Sequence, residues 1–180
     1  GLDENALCMT CHSGRASKFD VDNATPQGDG TYRFVNIHYR AAGASLFGNI
    51  AKGGYEYDGK TYASKFEHVA SNDLCVECHN AHSGELFYTS PGFGPTGCDN
   101  CHVGATDLTG VRAIRMIASV ADYDGDSDTA EGIYGEVDTL KLELEDALLD
   151  AGVTIQEGYP YFGNITTIDQ LRAAYNLQVA

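Results

Sequence analysis

All 6 cysteines of this 180-residue chain fall into pairs with two residues between the partners, and each pair is followed at once by histidine: Cys8-Met9-Thr10-Cys11-His12, Cys75-Val76-Glu77-Cys78-His79 and Cys98-Asp99-Asn100-Cys101-His102. No other feature restricts the fold so tightly. A Cys-x-x-Cys pair alone reads as part of a zinc site or a redox dithiol, and an even cysteine count as a disulfide framework. Histidine in the fifth place points instead to c-type haem, in which two thiols bond the porphyrin vinyl groups and the adjacent imidazole meets the iron. The motifs use every cysteine, so the spacing predicts three covalently bound haem c groups with His12, His79 and His102 as proximal ligands. A flat macrocycle buries a large apolar area. Haems are therefore expected to supply much of the core.

Six-coordinate iron needs a second axial ligand. The chain has 6 histidines; the motifs take half, and His38, His68 and His82 remain, one for each iron. Methionine, the usual alternative, raises the potential of a c-type haem. Only Met9, inside a motif, and Met116, beyond the last motif, are on offer. The count predicts histidine on both faces of all three irons. An unpartnered imidazole in the apolar run around His38 would be costly, while His68 stands seven residues before a haem cysteine. In Cys75-Val76-Glu77-Cys78-His79-Asn80-Ala81-His82 two imidazoles lie only three residues apart. Axial nitrogens approach one iron from opposite faces, at about 2 Å each as in other metal–imidazole bonds. So short a segment does not wrap both faces, and His82 is expected to serve a different haem from His79, stapling two haems at close contact. Spacing does not say which spare histidine serves which haem, and leaves open that one reaches a neighbouring molecule.

Haem is attached in this way outside the cytoplasmic membrane, so the protein is expected to be exported. No basic segment followed by an apolar run opens the chain, which makes Gly1 the expected mature N-terminus. No stretch approaches the roughly 18 to 20 apolar residues of a membrane span. With 11 basic against 26 acidic residues the formal charge is −15. Nucleic acid is a poor partner for such a chain, because that affinity rests on basic residues meeting phosphates.

Two parts are expected: a three-haem part, 1–103, and an acidic, haem-free part, 104–180. The first is dense in Gly, Asp, Asn and Ser, leaving little room for long elements. A short helix is predicted over Phe34 to Ala42, broken at Gly43, and a small hairpin over Tyr55 to Tyr62, with Asp58-Gly59 as its turn. In the second part Ile133, Val137, Leu140, Leu144, Ala147, Leu148 and Ala151 recur at helical spacing, with Gly152 placed to end the helix. Thr167-Ile168-Asp169-Gln170 reads as a capping box opening a second helix. The fold class is thus mostly irregular with short α-helices and a small β-hairpin, haem-cored, with a helical C-terminal part. Leu142 and Leu149, off the apolar stripe, are candidates for a subunit contact, although isolated exposed leucines are ordinary.

Within the second part, residues 122–131 place Asp122, Asp124, Asp126 and Asp128 at alternate positions, with Glu131 soon after. Such spacing wraps oxygen ligands around a hard cation, and calcium is the expected ion. The register departs from an EF-hand: counting from Asp122, the sixth residue is Ser127 and the twelfth Ile133. Two sequons, at Asn23 and Asn164, are present in a chain expected to be exported.

Several segments carry a resemblance: Asn36-Ile37-His38-Tyr39-Arg40-Ala41-Ala42-Gly43-Ala44-Ser45-Leu46-Phe47-Gly48, Lys52 to Tyr57, Cys75 to His82, and Arg115-Met116-Ile117 through the acidic loop to Ile133. Together they resemble the multihaem cytochromes c on the outer surface of metal-respiring microbes, including those that polymerise into haem-chain nanowires. The resemblance implies bis-histidine haems in alternating stacked and T-shaped pairs, little regular secondary structure, and conduction to extracellular acceptors. In filament-forming members it implies that a terminal haem takes its distal histidine from the next subunit. Three readings follow: a self-assembling extracellular or cell-surface conduit, a monomeric periplasmic or surface shuttle docking with redox partner proteins, and a multihaem reductase. The last needs an iron with an open position, which three spare histidines for three irons do not leave; the chain is therefore expected not to be an enzyme.

Overall fold

A chain this rich in glycine and short polar residues forms helices only where a cap or a tertiary contact closes them. The structure, a computed structural model, describes residues 3–38, 40–65, 67–68, 74–89, 97–115 and 119–180. Among these the helices are α1 (Ala6–His12), α2 (Lys18–Asp22), α3 (Ala42–Ala51), α4 (Cys75–Cys78), α5 (Leu108–Arg112), α6 (Ile133–Asp150) and α7 (Ile168–Val179), with 3-10 turns at Asp3–Asn5 and Cys98–Asn100. Strands β1 (Thr154–Ile155) and β2 (Phe162–Gly163) pair antiparallel, Thr154 opposite Gly163 and Ile155 opposite Phe162. No helix among the described residues is long and apolar enough to cross a membrane.

The chain divides into two compact units, one of Ala6–Phe66 with Lys141–Ala180, the other of Gly1–Asn5 with Glu67–Leu140. Each takes residues from both sides of position 103.

The first unit has a side-chain core. Val21, Phe34, Ile37 and Tyr55 pack with Leu148, Val153, Phe162, Ile165, Leu171, Ala174, Tyr175 and Leu177. Each large member contributes about 1.5–3 kcal/mol by leaving water. Helix α7 organises this core. Thr167 caps it, its Oγ1 accepting from Gln170 N at 3.2 Å while Gln170 Oε1 accepts from Thr167 N at 3.1 Å. The helix then presents amides to irregular chain: Asn176 accepts from Tyr55 N at 2.7 Å and donates to Tyr55 O at 3.1 Å. Gln178 likewise accepts from Ile37 N at 2.9 Å and donates to Asn36 Oδ1 at 2.9 Å.

Those last bonds correct one expectation. The segment from Phe34 is not helical, and α3 begins at Ala42 and runs through Gly43. Side chains of Asn36 and Gln178 have taken the backbone amides of Ile37 and His38, and His38 and Arg40 adopt positive φ, 76° and 51°. Helix is thereby excluded. Around Asp58-Gly59 the tight turn forms, with Gly59 at φ 76° and Lys60 N donating to Tyr57 O at 3.2 Å. Its flanks are not strands, and the antiparallel pair lies instead at β1 and β2.

Helix α6 forms as its periodicity predicts, and Gly152 follows it at φ 85°. The sequon residue Asn164 donates its side-chain amide to Gly152 O at 2.6 Å. Its stripe is buried only toward the C-terminal end: Leu148 is 3% exposed, whereas Ile133, Val137 and Leu140 are 40%, 45% and 42% exposed. The buried residue near its start is the carboxylate Glu136.

The second unit is built differently. Its buried described residues are Asn5, Gly97, Ala105, Gly132 and Glu136, so Ala105 is the one apolar side chain larger than glycine among them. Polar side chains close its turns instead; Asp107 caps α5 by accepting from Gly110 N at 2.8 Å.

The Thr167→Ala variant is expected to lose about 1 kcal/mol of stability, read as a lower denaturant midpoint at unchanged slope.

Candidate haem sites and an acidic loop

Each Cys-x-x-Cys pair sits on a short helical turn, which brings residues three apart onto one face. In the first unit α1 carries Cys8, Cys11 and His12. His12 Nδ1 lies 2.8 Å from Arg40 O. A carbonyl oxygen only accepts, so in the neutral ring Nδ1 holds the proton and the Nε2 lone pair is turned outward, as a metal ligand requires. Helix α3 packs closely on α1: a Cβ at Gly43 would overlap Sδ and Cε of Met9. Met9 is thus occupied in a helix contact. His38 belongs to this unit, half-buried, its own N donating to Asn36 Oδ1 at 2.6 Å.

The second unit carries the other two motifs together with His68 and His82. Helix α4 is held at its start by Cys75 N donating to Asn5 Oδ1 at 2.8 Å and Leu74 N to Glu77 Oε2 at 2.7 Å. His79 Nδ1 faces Gly84 O at 3.0 Å, so Nε2 is again the outward nitrogen. The turn from His79 to Glu85 is set by Asn80, which accepts from His82 N at 2.9 Å and Ser83 N at 3.3 Å through its side chain. His82 lies exposed on this turn.

One residue ties the second motif to the third. Phe87 N donates to Cys78 O at 2.9 Å, and Phe87 O accepts from Cys98 N at 3.1 Å. The thiols are close enough to sense each other: burial chiefly, and then the neighbouring Cys98, push the Cys78 thiol above its ordinary value. The third motif closes on itself, with His102 N donating to Cys98 O at 2.8 Å. The rings of His68 and His102 approach to 6.0 Å between centroids, tilted by 43°. The six cysteines form no disulfide. Paired thiols on one helical face, an adjacent histidine and, for His12 and His79, an imposed tautomer make a donor set that fits haem c.

The acidic loop folds around its own carboxylates. Oxygens of Asp122, Asp124 and Asp126 lie within 4.8 Å of one another, as do those of Asp124, Glu131 and Glu136. Asp128 instead accepts from Ala130 N at 2.8 Å. Glu136, which the spacing of the loop did not mark, is 1% exposed. It pairs with the Arg115 guanidinium and accepts from Tyr123 N at 2.7 Å and Asp124 N at 3.1 Å. Arg115 also donates to Glu131 O at 2.9 Å, Ser119 O at 3.2 Å and Ala121 O. Burial pushes the Glu136 carboxyl upward, but Arg115 and the two amides outweigh it and hold it below its ordinary value. Glu131 shifts the other way, raised by burial and then by Asp124 and Asp126. Asp124 Oδ2 and Glu131 Oε1 are buried without a hydrogen-bond partner. The signal for Glu136 was a glutamate one turn into the helix that follows the loop.

No established family profile matches the sequence, and no solved structure matches it. Among characterised proteins it is 39% identical over 178 residues to the C-type polyheme cytochrome OmcB of Geobacter sulfurreducens, an alignment covering 87% of this chain and 21% of the relative. It is 30% identical over 180 residues to the C-type polyheme cytochrome OmcC of the same species, covering 87% and 20%. The chain thus spans about a fifth of the length of these relatives. In its Cys-x-x-Cys-His motifs and along most of its length, the chain is similar to polyhaem c-type cytochromes.

Proposed function

We propose that the chain holds three haem c groups, each iron between two histidines, and passes electrons along them instead of transforming a substrate. The observation that carries this reading is the Phe87 junction, which hydrogen-bonds to the backbone of Cys78 and Cys98 alike. Two attachment points held by one residue keep two redox centres at a short, fixed separation, as fast electron exchange between them needs. Bound haem supplies the one-electron carrier. The protein's part is to anchor it through Cys8, Cys11, Cys75, Cys78, Cys98 and Cys101, and to orient His12 and His79 through carbonyl oxygens. His38, His68 and His82 are the distal ligands in this reading. Among the described residues of the second unit Ala105 is the one buried apolar side chain larger than glycine, which supports haem as a contributor to its core.

The site of action is the cell surface or the extracellular space, and the partners are further copies of the chain and extracellular acceptors. The family resemblance supports assembly, and Leu142 and Leu149, 56% and 47% exposed on α6, offer it apolar surface. Oxidised, haem-loaded protein is expected to be wholly low-spin and to reduce a soluble ferric chelate; a high-spin signal would favour a reductase. Electron microscopy of the frozen protein at micromolar concentration is expected to show filaments with a continuous haem chain, whereas discrete single-chain particles would leave a monomeric shuttle.

Calcium is the ion we propose for the acidic loop, bound by Asp122, Asp124, Asp126 and Glu131, with Asp128 shaping the turn and Glu136 closing the site. Two buried carboxylate oxygens without partners support it. At a hundredfold excess over Kd, calcium would stabilise the fold by about 2.7 kcal/mol. The expected result is a melting temperature that rises with calcium, falls with chelator and no longer responds in Asp124→Asn.

A further inference from the structure

We propose that His68 and His102 are the two axial ligands of one iron, that of the haem attached at Cys98 and Cys101. The inference rests on the haem reading above and deepens it by assigning a distal ligand. His102, adjacent to Cys101, can meet only the iron of its own motif, so whatever stands across that iron is its distal partner. Two metal–imidazole bonds of about 2 Å on opposite faces, with each ring centroid about 1 Å behind its nitrogen, place the centroids roughly 6 Å apart. The rings of His68 and His102 lie at 6.0 Å.

The chain path gives the pairing a consequence. Between His68 and His102 run α4 with the second motif, the Asn80 turn and Phe87. The third iron therefore fastens both ends of the segment that carries the second haem, and Phe87 pins its middle to both motifs. Loss of one distal ligand would loosen a pair of haems. The assignment also leaves His38 and His82 for the other irons.

The test uses the full, haem-loaded chain, with mass spectrometry confirming three haems. His68→Ala is expected to turn one third of the iron high-spin, and His68→Met to leave it low-spin with one of three potentials raised. The location is read by repeating His68→Ala in two backgrounds. With Cys75→Ala/Cys78→Ala, which removes the second haem, the high-spin signal should persist; with Cys98→Ala/Cys101→Ala, which removes the third, it should vanish. A signal that survives loss of the third haem, or a fully low-spin His68→Ala protein, overturns the pairing. A structure of the loaded wild-type chain gives the same answer without variants: a His68 nitrogen at about 2 Å from the third iron supports it, and any other imidazole there overturns it. Fewer than three haems by mass would overturn the haem reading itself, a separate failure from three haems with His68 elsewhere.

Discussion

Backbone amides and carbonyls removed from water must find partners, and in a chain with so little regular structure side chains have to provide them. Asparagine, glutamine and carboxylate groups do so at nearly every point that matters for the candidate sites. Gln178 and Asn36 hold the approach to His38; Asn5 and Glu77 hold the start of α4; Asn80 shapes the turn to His82; Glu136 gathers the amides of Tyr123 and Asp124. The histidine-bearing segments are positioned by polar side chains reaching to the backbone, not by lying on long helices or sheets.

The two units answer the problem of a small core in different ways. Around α7 a set of aromatic and aliphatic side chains packs closely, and the first motif is anchored on it through α3 and the irregular segment before His38. In the second unit, which bears two motifs, the described buried positions are few and mostly polar. Among these residues cohesion comes from turn-closing hydrogen bonds.

Charge is concentrated to the same purpose. Most of the −15 is spread over the surface, yet the loop after Arg115 draws carboxylates of Asp122, Asp124, Asp126, Glu131 and Glu136 together against their repulsion. Arg115 offsets part of it by pairing with the buried Glu136. The opposite shifts of Glu131 and Glu136 show where compensation ends: Glu136 has a guanidinium and two amides, while the buried oxygen of Glu131 has none.

Local chemistry was legible in the sequence because it depends on neighbours within a few residues. The capping box at Thr167 and the helix ending at Gly152 are of that kind, and both lie where spacing placed them. The segment from Phe34 looked helical and is not, since Gln178, 142 residues from Asn36, competes for its amides. Tertiary structure alone decided that Glu136 is buried beside the acidic loop, that Phe87 joins two motifs, and that His68 faces His102. Each of these is a contact between residues beyond the reach of a single helical turn, and spacing in one dimension carries no distance in three.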